Sequence, residues 1–275
     1  MKPIMKIELS RAFKSSGFYT SLFTGCVIAV AHCILNVFPY ALRLTEYVAY
    51  NKPMMYPGWL YSLWIGGNVS TMPSYLFFLI IPLLASLPYG DSFFTDVKGG
   101  YIQNVCIRSN RKDYYRAKYV SAFISGGSAV SIPLVLNFFL CALLLPALRP
   151  EVASGTNAIH ESSTFPYLYF SMPLLYVAVY VLIIFLFSGL FSALSLLSSY
   201  YVGYRFLVLI SPFIVYLFLM SLFGLLTMEN WQPNNFLHPA YYGNVLIPII
   251  SEFILFLLIT VFGFIIKGPK DDIYS

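Results

Sequence analysis

LYFSMPLLYVAVYVLIIFLFSGLFSALSLL, residues 168–197, carries no charged side chain and sits within 43 uncharged residues between Glu161 and Arg205. An ionisable group at mid-bilayer costs about 2.5–3.5 kcal/mol on insertion scales, so runs of this length mark segments that cross lipid. Outward from it, Lys14 and Arg43 enclose 28 uncharged residues, Lys52 and Asp91 enclose 38, Lys118 and Arg149 enclose 30, and Arg205 and Glu229 enclose 23. A last apolar run, 245–266, is interrupted only by Glu252. A helical span needs about 20 apolar residues at 1.5 Å each. Six spans are therefore predicted, at about 18–40, 72–90, 119–146, 168–197, 204–226 and 245–266. The runs are continuous and do not alternate, which indicates an all-α integral membrane protein and not a β-barrel. Pro82 and Pro88 predict a kink in the second span.

Composition agrees with this reading. Of 275 residues, 59% are hydrophobic and 10% charged, against about 25% charged in a soluble domain. A soluble globule and a disordered chain are both excluded. Lys and Arg then orient the spans. Thirteen fall at the N-terminus, in 91–118, at Arg205 or after the last span, whereas Arg43, Lys52 and Arg149 fall on the other side. Positive charge stays inside, so both termini and the 91–118 loop are expected in the cytoplasm of a cell carrying this chain in its cell membrane. The net charge of +5 suits anionic headgroups and calls for no nucleic acid. The run after Lys14 is too long for a secretory signal and lacks a small-residue cleavage site.

Chemistry-bearing motifs are absent. Cys26, Cys33 and Cys141 fall in spans and Cys106 in the loop, while His32, His160 and His238 are scattered, so no metal site or disulfide framework is expected. No zinc helix, nucleophile elbow or phosphate loop occurs. Gly126, Gly127 and Ser128 suggest an intramembrane nucleophile only superficially, since neither His32 nor His238 stands in a supported position for its base. Ser121, Ser125 and Ala129, with Ser188 and Ser192 and with Gly189 and Ala193, have instead the small-xxx-small spacing of close helix contacts.

The loop DSFFTDVKGGYIQNVCIRSNRKDYYRAK, residues 91–118, is too long and patterned for a connector. Phe94, Val97, Tyr101 and Val105 recur as one apolar helical face. Asp96, Lys98, Gln103 and Asn104 supply polar surface, and Gly99 and Gly100 weaken the helix. Asn110 can cap a second helix with Asp113 in its first turn. Arg108, Arg111, Lys112, Arg116 and Lys118 form a basic anchor where that helix enters the membrane.

In this loop the chain resembles the ABC-2 type permeases, six-span membrane subunits of ATP-driven transporters. Phe93-Phe94-Thr95-Asp96-Val97-Lys98-Gly99-Gly100 matches the first part of the family's loop between spans two and three, and Arg111 to Lys118 the second. Asp96 stands where Glu is usual, and the Pro often found before the basic cluster is absent. The resemblance implies that this segment is a coupling helix docking into a separate ABC ATPase, which binds ATP and Mg, so that this chain needs no cofactor and is not itself an enzyme. It also implies export, with substrates from drugs and lipids to peptides; six spans call for a second permease chain in a homo- or heterodimer to enclose a pathway, and a hydrophobic or amphipathic peptide is the favoured cargo. Residues 1–17, with Ile4, Ile7, Phe13 and four basic side chains, read as an interfacial helix like the family's N-terminal connecting helix. Residues 228–244 resemble the family's short re-entrant outer helices. The aromatic outer segment containing Tyr47, Tyr50, Tyr56, Trp59, Tyr61 and Trp64 suits cargo or a membrane interface equally.

Glu252, the one carboxylate inside a span, is a candidate gate or substrate contact, or else a packing residue. It also sustains the alternative of an ion- or proton-coupled secondary carrier, although paired intramembrane charges and internal repeats are not seen.

Overall fold

A computed structural model describes residues 2–43, 59–108, 110–150 and 159–270. Every regular element among them is helical. The principal helices are α1 (Lys2–Phe13), α2 (Ser16–Leu42), α3 (Met72–Ser86), α4 (Ser92–Lys98), α5 (Tyr101–Arg108), α6 (Arg111–Leu144), α7 (Pro173–Ser198), α8 (Arg205–Leu225) and α9 (Leu246–Ile266). Five of them, α2, α6, α7, α8 and α9, are long and apolar enough to cross a bilayer. α3 lies on the second-longest charge-free run but has only 15 residues, about 22 Å of rise. Pro82 is accommodated inside α3, while Pro88 lies beyond its last residue and cannot kink it.

Local chemistry explains where the helices stop. Ser15 caps α2 by accepting from the Phe18 N–H, and Asn110 caps α6 by accepting from the Lys112 N–H, as its position predicts. α6 begins at Arg111, eight residues before the predicted span, and its 34 residues make about 51 Å of helix. Its first turns therefore extend past a bilayer core of about 30 Å. The predicted span 168–197 is instead two pieces, Pro166–Ser171 and α7. Met172 precedes Pro173, and the proline ring disfavours a helical conformation for the residue before it.

The long helices turn apolar side chains outward, among them Phe23 at 71% and Leu143 at 82% exposure. A monomer in water does not carry such a surface over several helices. The molecule has the makeup of a multi-pass membrane protein. Inside, α6 is the hub against which α1, α2, α3 and α7 pack. Ser121, Ser125 and Ala129 of α6 are fully buried. A Cβ on Gly126 would lie 2.5 Å from the Ser192 Cβ and 2.6 Å from the Ala85 carbonyl oxygen, so a larger residue would force the helices apart.

At the end holding Leu60 and Leu145, polar groups stitch the loops to the bundle. His238 Nδ1 accepts from the Ala240 N–H, so its proton is on Nε2, 3.0 Å from Ser74 Oγ, which donates to the Ile65 carbonyl. The Ile65 N–H donates to Asn137 Oδ1, and Asn137 Nδ2 donates to the Ala29 carbonyl. His238 thus holds loops together. Trp59, Tyr61 and Trp64 are buried here, so they form neither of the exposed surfaces, cargo-facing or membrane-interfacial, that the segment suited; Tyr47, Tyr50 and Tyr56 lie outside the described residues. Residues 228–244 contain two short helical turns, Glu229–Trp231 and Pro233–Phe236, with Phe236 fully buried.

Candidate functional site

At the opposite end, α1, α4, α5 and the start of α6 close around an aromatic cluster that includes Tyr89, Phe93, Tyr114, Tyr115 and Phe264. Phe93 alone meets Tyr115, Tyr200 and Phe264 at ring distances of 5.5, 5.0 and 5.2 Å. This one side chain fixes α4 to three other segments, through edge and tilted contacts that aromatic rings favour.

Beside these rings lies a buried ionic network. Lys118 is fully buried, with Nζ 2.8 Å from Glu8 Oε2 and 2.5 Å from Asp96 Oδ2. Arg11 donates to Asp96 Oδ1 at 2.7 Å and to Glu8 Oε1 at 3.0 Å. The hydroxyls of Tyr89 and Tyr114 donate to Glu8 and Asp96 at 2.7 and 2.6 Å. The Arg11 guanidinium also lies 4.4 Å from the Tyr101 ring centroid, within cation–π range. Two cations face two carboxylates, so the group is neutral as a whole, which burial requires. Burial alone would raise the Asp96 carboxyl. The Arg11 hydrogen bond, then the charge and hydrogen bond of Lys118 and the Tyr114 hydroxyl, outweigh it and hold the carboxyl below its usual range.

Sequence alone put Asp96 on the polar surface of the loop and Lys118 in a basic anchor at the membrane entry, and both are buried instead. Asp96, Phe94 and Lys118 point inward, so none of them is free to touch a partner; their geometry joins α1, α4 and α6. Tyr101 is half-buried with them. Glu8 was missed. Its signal was present: it is the only carboxylate in residues 1–17, three residues before Arg11 on the same helical face.

The expected single apolar face is also broken. Gly100 adopts φ +68, a left-handed conformation that separates α4 from α5. The two helices form a hairpin whose exposed rim carries Val97, Lys98, Gly99, Gln103 and Asn104, with Gly100 half-buried. Ile107, at 83% exposure, stands out from it. Lys112 and Arg116 of the basic anchor are exposed and Arg111 is half-buried. The side chain of Arg108 lies outside the described residues.

Glu252 belongs to neither group. It sits on α9 at 4% exposure, with no hydrogen-bond partner for either carboxylate oxygen among the described residues. Thr260, two turns further along α9, pairs with the Tyr119 hydroxyl at 2.9 Å, so Glu252 lies about 12 Å further into the bundle. Phe253 and Phe256 flank it against Phe187 and Phe191. An unsatisfied buried polar group costs about 1–3 kcal/mol. Glu252→Met is accordingly expected to raise the detergent-phase Tm; a fall would mean that the carboxyl has a partner that holds the helices together.

No cluster of three or more His, Cys, Asp or Glu side chains suited to a metal occurs among the described residues. No family model, curated protein or solved structure matches the chain.

Proposed function

We propose that this chain is the membrane permease subunit of an ATP-driven exporter of the ABC-2 type. The observation that carries the reading is the α4–α5 hairpin. One face exposes Val97, Lys98, Gln103, Asn104 and Ile107, while the other is tied through Asp96, Lys118 and Phe93 to α1, α6, α7 and α9. A push on such a hairpin is delivered to the helices and not absorbed by a loose loop, because packed elements move as units. With no nucleotide-binding motif in the sequence, the push comes from a separate ATPase that holds ATP and Mg.

In this reading α3, continued by the turn to Gly90, is a sixth span. Both termini and the hairpin face the cytoplasm, the bilayer is the cell membrane, and a second permease chain completes the pathway. The cargo class is hydrophobic or amphipathic, a peptide being the favoured case. A probe attached at Gln103 is expected to resist a membrane-impermeant reagent in intact cells and to react after permeabilisation. Reaction in intact cells would reverse the topology.

Glu252 supports a second reading, a secondary carrier driven by an ion or proton, because an unpartnered intramembrane acid is costly and such groups mark ion pathways. Purification of the tagged chain from its native membrane separates the two. The exporter reading expects an ATP-hydrolysing chain to copurify and its hydrolysis to depend on this subunit; transport by the isolated chain without nucleotide would favour the carrier.

A further inference from the structure

A cleft of about 420 Å³ opens at the basic end between the α1–α2 turn, residues 88–95 and the first residue of α8. Its walls include Arg11, Lys14, Ser15, Asp91, Ser92 and Arg205. Three cations face one carboxylate. Asp91 is engaged by the Arg205 Nε, and Arg11 directs its hydrogen bonds inward to Glu8 and Asp96. Lys14 is exposed and has no carboxylate partner among the described residues. The cleft therefore keeps an excess of positive charge.

Ser92 adds an independent observation. The residue lines the cleft and is only 5% exposed, yet its hydroxyl has no hydrogen-bond partner among the described residues. A buried hydroxyl left unpaired is costly, and an acceptor oxygen placed in the cleft removes that cost. Nearby Ser15 is already committed, donating to the Pro88 carbonyl at 2.6 Å. Ser92 and Lys14 thus have donors to spare, and Arg205 engages Asp91 through its Nε alone.

The level of the cleft limits what fills it. α2 starts at Ser16 and α8 at Arg205, so the cleft lies where two apolar helices leave the hydrocarbon core and meet headgroups. Basic pockets between helices at that depth attract anionic headgroups. We propose that this cleft binds the phosphate of an anionic phospholipid headgroup, with Lys14 and Arg205 supplying charge and Ser92 a hydrogen bond. The inference rests on the membrane character of the chain and not on its transport role.

Native mass spectrometry of the full chain in micelles doped with phosphatidylglycerol or phosphatidylcholine tests it. One phosphatidylglycerol is expected to be retained in preference to phosphatidylcholine. Lys14→Gln should weaken retention about fivefold, as loss of one cation near a headgroup does, and Lys14→Gln with Ser92→Ala further still. Tm of each variant, read in parallel, confirms that the fold persists. Lys112→Gln with Arg116→Gln, two exposed cations that do not line the cleft, should leave retention unchanged. Equal loss from that control pair would overturn the proposal, because the attraction would then be diffuse. Displacement of the lipid by millimolar inorganic phosphate would identify a soluble anion as the ligand and overturn the lipid assignment.

Discussion

Lys118→Met is expected to destabilise the protein by about 3–5 kcal/mol, the cost of removing one partner from a buried charge group. The wild-type network balances Glu8 and Asp96 against Arg11 and Lys118. Without Lys118, Arg11 alone faces two carboxylates that water cannot reach. Restoring balance should restore stability, so Lys118→Met combined with Glu8→Gln is expected to recover at least half of the loss. Tm in detergent reads both, and a single variant within about 1 kcal/mol of wild type would mean that the network is not ionised as drawn. The pH dependence has a definite sign. Because the Asp96 carboxyl is held below its usual range, the stability it contributes is complete above about pH 4 and is lost as the pH falls through the lowered value.

Val97→Asp with Ile107→Asp is expected to detach the proposed ATPase while leaving the fold intact. Both side chains are exposed, and surface changes away from structural features shift stability by only about 0.5 kcal/mol. At an interface the same change is severe. Ile107 would forgo about 1.5–3 kcal/mol of burial, and a desolvated carboxylate adds to that, so affinity should fall at least about tenfold. Copurification yield measures it, with an unchanged Tm as the control. Undiminished yield would place the partner's docking surface elsewhere. Together the two tests separate the buried network under the hairpin, expected to hold the fold, from the exposed face proposed to meet a partner.

The long helices were legible because lipid makes charge expensive, and charge-free runs therefore show directly in the sequence. Their ends were less so. Counting charges ends the third span near Lys118, whereas the helix starts at Arg111 under the Asn110 cap; a helix outside lipid tolerates charge, so only the cap marks its start. The break at Met172 was readable in principle from Pro173 but was masked by uniformly apolar neighbours. The inner ionic network was not legible. Lys118 and Asp96 look like surface groups when each is considered alone, and only the docking of α1 brings Glu8 and Arg11 to them. The single apolar face drawn through Phe94, Val97, Tyr101 and Val105 assumed a continuous helix, which the left-handed Gly100 interrupts.

A photo-crosslinking residue introduced at Ile107, with a second at Tyr167 as a control on another exposed site, tests the coupling account most directly when activated in native membranes. The account predicts capture of an ATP-hydrolysing chain from position 107 and none from position 167. Equal capture from both positions, or capture at 107 of proteins that bind no nucleotide, would contradict it.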